Sequence, residues 1–278
     1  MVRSFGRLLA AFALVALALG SAARADQPYI TLASTTSTEN SGLFARILPQ
    51  FTAESGIAVR VIAVGTGQAL RLARNGDADV LLIHHRPSEE AFVAEGHGVA
   101  RHDVMYNDFV LVGPKDDPAG VSSSKDAAAA LAAIAGSASP FVSRGDDSGT
   151  HKKERGLWQA AGVDPTAASG GWYREAGAGM GATLNIAQGM AAYALSDRAT
   201  WAAFANRGDL TVLVEGDPAL FNPYGVILVN AARHPHVKTE LGQALVDWLI
   251  SDQGQAAIAD FTLEGEQMFV PNAKTPAS

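Results

Sequence analysis

Apolar and polar positions along the chain alternate between two rhythms. Tyr29-Ile-Thr-Leu-Ala-Ser34 is a short apolar run with polar flanks, which predicts a strand. Leu43, Phe44, Ile47, Leu48 and Phe51 then recur at spacings of three and four. They share one stripe of a helix predicted from about Ser41 to Glu54, and Gly56 ends it. Ala58 to Val64 predicts a second strand, and Gly67 to Arg74 a short helix stopped by Asn75-Gly76. The unbroken apolar run Ala78 to Ile83 predicts a strand covered on both faces. A helix over Pro87 to Glu95 opens on its proline. Strand and helix in repeated alternation predict a parallel sheet with helices on both sides.

The rhythm continues. Strands are predicted over Asp108 to Val112, Pro140 to Ser143, Leu210 to Val214 and Gly225 to Val229. Helices are predicted over Asp126 to Ala135, Thr150 to Ala161, Gly181 to Met190 and Val237 to Ile250. No internal repeat or low-complexity linker interrupts them. The fold class is therefore α/β.

The first residues follow a different logic. Arg3 and Arg7 precede the apolar run Leu8 to Leu19, and Ala23-Arg24-Ala25 is an A-x-A cleavage signal. Residues 1–25 thus read as a secretory signal peptide, with a run too short to span a bilayer comfortably. An uncleaved anchor is the alternative. Export places the protein outside the cytoplasm, in a periplasm. The chain of 278 residues has 21 basic and 28 acidic residues, a net charge of −7. Loss of Arg3, Arg7 and Arg24 with the leader leaves 18 basic residues and a charge of −10. That balance argues against a nucleic-acid binder, which needs a basic face to replace phosphate counterions. The absence of cysteine excludes disulfides, thiolate metal sites, a cysteine nucleophile and a lipidated N-terminal cysteine.

Polar clusters sit where strands hand over to helices. Ser34-Thr35-Thr36-Ser37-Thr38 is a run of five hydroxyl residues after the first strand. One or two would make an ordinary N-cap. Five suggest a ligand site, because ligands of open α/β sheets bind at the carboxyl ends of strands, where helix starts favour anions. Gly65-Thr66-Gly67 occupies the same place after the second strand; it lacks the lysine of a Walker loop. Ser143-Arg144-Gly145-Asp146-Asp147-Ser148-Gly149-Thr150-His151 bridges a short strand and a helix. It offers hydroxyls, free N–H groups and the planar donor fork of Arg144, which Asp146 or Asp147 can hold in place. A structural Arg–Asp pair in a turn is the plainer reading. Gly177-Ala-Gly179-Met180-Gly181 opens a further helix, where glycine lets backbone approach a ligand.

These clusters carry neutral donors and one firm cation. A hydrogen phosphate would need an acceptor for its proton, which only Asp146 or Asp147 could supply. The donor inventory leans toward tungstate, molybdate or sulfate over phosphate. Catalysis finds little support. Gly-Asp-Asp-Ser-Gly does not fit a nucleophile elbow, and Ser148 with His151 has no orienting carboxylate in evident reach, so a serine hydrolase is disfavoured. His84-His85 ends the third strand with side chains on opposite faces and does not form one metal site; both read as surface histidines, as do His97, His102, His234 and His236. Trp158, Trp172, Trp201 and Trp248 read as core.

Together the leader, Ser34-Thr35-Thr36-Ser37-Thr38-Glu39-Asn40-Ser41-Gly42-Leu43, Gly65-Thr66-Gly67, Ala78 to His84 and Ser143 to Thr150 resemble the tungstate-binding periplasmic proteins of ABC uptake systems, the TupA family. The likeness covers nearly the whole chain after the leader. Its Arg-x-x-x-Ser-Gly-Thr core is shared with phosphate-binding proteins. The family's hydroxyl run starts Thr-Thr-Thr-Ser, and Ser34 stands in the first place here. The family usually has His-Asp where His84-His85 stands.

The resemblance implies a two-lobe type II periplasmic binding fold with a ligand cleft between the lobes. Lobe one would comprise 26–110 and 224–278, and lobe two 111–223, with Asp108 to Gly113 and Asn222-Pro-Tyr-Gly225 as crossings. Thr35, Thr36, Ser37 and Thr66 would bind the anion from lobe one. Arg144, Ser148, Gly149, Thr150, Met180 and Gly181 would bind it from lobe two. A monomer without cofactor would hand tungstate or molybdate to an ABC permease and its ATPase. The alternatives are a sulfate- or phosphate-type binding protein and an extracellular oxyanion sensor.

Overall fold

The computed structural model describes residues 27–273. The leader read over 1–25 lies outside them. The chain runs β1 (Tyr29–Thr35), α1 (Thr36–Asn40), α2 (Leu43–Ser55), β2 (Ala58–Val64), α3 (Thr66–Asn75), β3 (Val80–Ile83), α4 (Arg86–Ala94) and β4 (Gly98–Pro114). Next come α5 (Ala127–Gly136), β5 (Phe141–Ser143), α6 (Gly149–Ala160), β6 (Tyr173–Glu175), α7 (Met180–Met190), β7 (Ala194–Asp197), α8 (Arg198–Ala203) and β8 (Leu210–Val214). The return consists of β9 (Phe221–Val229), α9 (Thr239–Ile250), α10 (Asp252–Ala259), β10 (Thr262–Leu263), β11 (Glu266–Gln267) and β12 (Val270–Pro271).

The main sheet has the order β12-β4-β9-β3-β1-β2. β1 pairs in parallel with both β2 and β3, as the strand–helix alternation predicts. β9 enters antiparallel between β3 and β4. The apolar stripe of α2 and the whole of β3 are buried.

The long strand β4 organises the molecule. Its first part pairs with β9 from Gly98 to Asp108, and its last part pairs with β7 and β8 from Phe109 to Pro114. Val104 and Met105 pack in one core with β1, α2, α9 and α10, while Phe109 and Leu111 pack in another with α5, α6 and β7. The other faces follow suit: β1, β3, α3 and β9 close one side of the first core's sheet, and Val110 and Val112 pack with α7 on the other half. One strand thus belongs to two cores, which makes a two-lobe α/β fold with a cleft where the lobes face each other.

Only Asp108 to Val112 of β4 was expected as strand. Its first half carries Arg101, His102 and Asp103, and these break the apolar pattern. They are accommodated because Arg101 donates to buried Glu89 at 2.6 Å and to Asp103 at 2.6 Å. Desolvation pushes the Glu89 carboxyl up to about 7 against the opposing pull of Arg101. The hydroxyl run was expected as a turn; its last three residues instead begin α1, a short helix capped by Thr35, whose Oγ1 accepts from the Thr38 N–H at 3.3 Å. Hydroxyl-rich sequence suits a helix start as well as a turn, and the cap decides between them.

Candidate functional site

Four helix starts meet where the lobes face each other. From lobe one come α1 and α3, and from lobe two α6 and α7. An α-helix leaves its first backbone N–H groups without intrahelical partners, so each start presents donors. Neither α3 nor α7 uses a side chain as cap, since their N-cap residues are Gly65 and Gly179. α6 is capped by Ser148, whose Oγ accepts from the His151 N–H at 3.2 Å.

Contacts between the starts place them together. Arg144 Nη2 donates across the cleft to Thr36 Oγ1 at 3.5 Å. A Cβ on Gly67 would lie 2.7 Å from Asp147 Oδ2, and one on Gly149 would lie 2.7 Å from His84 Cε1. Glycine at these two positions permits the approach of α3 to the lobe-two loop and of α6 to the end of β3. The Thr200 hydroxyl, at the start of α8, donates to the Ser37 carbonyl at 3.4 Å. The Ala178 N–H donates to the Arg144 carbonyl at 3.2 Å, which brings the Gly179-Met180 turn beside the arginine.

The resulting site is sealed. Thr35, Ser37, Thr66, Arg144, Ser148, Thr150 and Met180 are all buried, Arg144 to 2% exposure. Thr36 and Gly181 are half-buried. Arg144 Nη2 also donates to Asp146 at 2.5 Å, and Asp146 Oδ1 accepts from the Ser148 N–H at 3.2 Å. Burial alone would raise Asp146; the hydrogen bonds from Ser148 and Arg144 outweigh it and hold the carboxyl below its usual range. Of the two aspartates offered by the sequence, Asp146 is the one that orients the guanidinium. Asp147 pairs with Lys152 at 2.9 Å.

Among the described residues, three buried donor groups at these helix starts have no protein partner: Thr66 Oγ1, Arg144 Nε and Thr150 Oγ1. Buried donors are almost always satisfied, and each one left unpaired costs about 1–3 kcal/mol. Two hydroxyls and a guanidinium N–H, drawn from both lobes, make a donor set for an anion. Not every residue expected at the site offers a spare group: the Thr35 hydroxyl is engaged with Ser37 at 3.1 Å and Thr38 at 2.7 Å. Ser148 and His151 are joined through a helix cap and not as nucleophile and base. Among the described residues no cluster of three metal-ligating side chains occurs.

Several residues escaped the sequence reading. His84 was expected on the surface, but it is 5% exposed and stacks on Tyr224 with ring centroids 4.9 Å apart. Its Nε2 lies 3.1 Å from Ser37 Oγ and its Nδ1 lies 3.0 Å from Asn222 Oδ1. Burial pushes its pKa down to about 4, helped by the Arg144 charge and opposed by Asn222. Asp197 is buried with Oδ2 unpartnered, while its Oδ1 caps α8 by accepting from the Thr200 N–H at 2.9 Å. Desolvation raises it, with Arg144 among the groups pulling it back. The donor-only inventory is therefore incomplete, because one buried carboxylate sits beside the donors. Ser196-Asp197-Arg-Ala-Thr200 after a short apolar run is a cap signal that could have marked it.

A two-lobed α/β molecule with helix starts aimed into a sealed interlobe cleft is a periplasmic-type solute-binding protein. The comparisons agree. Residues 20–253 match the model of the PBP superfamily domain. A tungstate-binding protein TupA of Peptoclostridium acidaminophilum is 46% identical over 248 residues, 88% of this chain and 86% of the relative. The solved tungstate-binding protein TupA of Desulfovibrio alaskensis G20 is 46% identical with a TM-score of 0.77, covering 89% of this chain and all of that one. A solved tungstate ABC transporter structure from Geobacter sulfurreducens is 50% identical with a TM-score of 0.77, over 84% of this chain and 98% of that one. The chain belongs to the TupA family of the PBP superfamily, a family of binding proteins and not of enzymes.

Proposed function

We propose that this protein captures a fully deprotonated tetrahedral oxyanion, tungstate first and molybdate second, and delivers it to an ABC permease with its ATPase. The observation that carries the reading is the trio of buried unpartnered donors, Thr66 Oγ1, Arg144 Nε and Thr150 Oγ1, contributed by both lobes. Thr36, Ser37, Ser148, Gly149, Met180 and Gly181 complete the donor wall, and Thr35 braces it. A ligand that bonds both lobes at once favours their closed arrangement by differential contact. The proposed lobes are 26–110 with 224–278, and 111–223. Packing supports a division into two cores but sets the first crossing earlier: Met105 and Tyr224 share one core, whereas Phe109, inside 26–110, packs with Leu220 in the other.

Tungstate is the ligand in the names of the relatives, and that likeness, more than the donor inventory, favours it over a protonated oxyanion. The proposed setting is a periplasm, with the protein free as a monomer after removal of its leader. No helix among the described residues is long and apolar enough to cross a membrane. A thermal-shift panel of tungstate, molybdate, sulfate and phosphate tests the ligand, because at equal concentration the ligand that binds the folded state most tightly raises Tm most. Tungstate should give the largest shift. The largest shift with phosphate would make Asp197 a proton acceptor and overturn the assignment.

A further inference from the structure

Behind the donor wall lies a hydrogen-bond chain whose polarity can be followed atom by atom. Asn222 Nδ2 donates to Asn107 Oδ1 at 2.7 Å and to the Tyr224 hydroxyl at 3.2 Å. Both amide hydrogens are thereby used, and the amide oxygen faces His84 Nδ1 at 3.0 Å. With the Asn222 amide in this orientation the oxygen can only accept, so Nδ1 carries the ring hydrogen. A neutral imidazole has one N–H, which leaves Nε2 an acceptor. The group facing Nε2 is Ser37 Oγ at 3.1 Å. The Ser37 hydroxyl hydrogen therefore points at the histidine, and a lone pair of Ser37 is what remains for the cleft.

We propose that His84 is a positioning residue that couples anion capture to proton uptake: on taking a proton at Nε2 it donates to Ser37 Oγ and releases the serine hydroxyl hydrogen to the bound anion. One solvent proton is gained at His84, and no bond to the anion is made or broken. The inference rests on reading the cleft as an oxyanion site, whose donors meet the oxygens of the ligand and not its central atom.

The surroundings set the direction. The charged neighbours acting on His84 are Arg144 from the loop before α6, Lys153 from α6 and the adjoining His85, and all three oppose a proton on its ring. On β9, Tyr224 stacks on the ring and is kept protonated by burial. On β7, the buried carboxyl of Asp197 is pulled down by the Arg144 charge and itself pushes Tyr224 up. The start of α6 packs directly on the ring through Gly149. Burial is the largest influence against the ring proton, and the ionised Asp146 carboxylate on Arg144 already offsets part of the positive charge. A bound dianion adds two negative charges beside the ring, which favours the imidazolium.

Calorimetric titration with sodium tungstate near pH 6, repeated in buffers of different ionisation enthalpy, counts the protons. Uptake on the order of half a proton or more is expected, falling toward zero near pH 8. It should vanish in His84→Asn and persist in Asp197→Asn. Long-range proton–nitrogen spectra of the histidine rings in the unmodified protein give a readout independent of variant folding. His84 should carry hydrogen on Nδ1 alone without tungstate and on both nitrogens with it. Tungstate heat that does not depend on buffer, uptake lost in Asp197→Asn but kept in His84→Asn, or an unchanged His84 ring overturns the coupling. No tungstate binding at all would instead sink the oxyanion reading beneath it.

Discussion

Replacing Arg144 by alanine probes a buried guanidinium that reaches across the cleft. Its Nη2 is shared between Asp146 at 2.5 Å and Thr36 at 3.5 Å, and its Nε has no protein partner. A charge-assisted hydrogen bond from a buried arginine contributes about 1.5–3 kcal/mol. Alanine also leaves the Asp146 carboxylate without its counter-ion, so a dianion would meet an uncompensated negative charge. The combined loss should be about 2–4 kcal/mol, a rise in Kd of roughly thirtyfold to a thousandfold. Tungstate titration by calorimetry, with a weaker oxyanion as competitor if affinity is too high to read directly, measures it. Circular dichroism and the Tm without ligand check that the fold survives. Adding Asp146→Asn separates the two contributions: part of the loss should return in the double variant if repulsion by Asp146 matters. A Kd for Arg144→Ala within threefold of the parent would refute the role given to this side chain.

Other substitutions test the neighbouring links. Thr66→Val and Thr150→Val each remove a buried hydroxyl that has no protein partner. Each should leave the ligand-free Tm unchanged or higher while weakening tungstate by about 1–2 kcal/mol; a lower Tm with unchanged affinity would mark the hydroxyl as structural. Gly149→Ala would drive a Cβ to 2.7 Å from His84 Cε1, and repacking of that kind costs about 1–3 kcal/mol. Its affinity for tungstate should fall by roughly tenfold with secondary structure intact, and unchanged affinity would show that α6 need not press on His84. Glu154, which accepts from Trp158 Nε1 at 3.1 Å and the Tyr173 hydroxyl at 2.8 Å, is pushed by burial from 4.5 up to about 7. The folded state then holds a proton that the unfolded state gives up. The stability from this group is complete below its unfolded value and is lost as pH rises through its folded one. Glu154→Gln keeps an acceptor for both donors and should flatten the fall in Tm between about pH 5 and about pH 8; an unchanged pH profile would count against the burial argument.

Much of the fold and of the candidate site was legible because it is written locally. The stripe Leu43, Phe44, Ile47, Leu48 and Phe51 had to face a core. The unbroken apolar run of β3 had to be covered on both sides. Helix starts rich in hydroxyls and glycine announced donors at Thr66, Ser148 and Thr150. The polar half of β4 was not legible, because Arg101 is accommodated there through Glu89, a residue on another element, and Asp103 through Arg101. His84 misled for a similar reason. Its place at a strand end suggested exposure, yet Tyr224, Gly149 and Asn222 close over it from distant parts of the chain.

By itself the sequence determined the α/β alternation, the helix starts that present donors and the single arginine among them. Each of these depends on spacings of a few residues. The tertiary structure decided the rest. It chose Asp146 over Asp147 as the partner of Arg144, and it set buried Asp197 beside the donors. It left Thr66, Arg144 and Thr150 with unpartnered atoms, and it placed His84 behind Ser37. These depend on residues far apart in sequence, such as Ser37, His84 and Asn222, meeting at hydrogen-bond distance. The pairing of β1 with β3, and of β3 with β9 from the far end of the chain, brings them together.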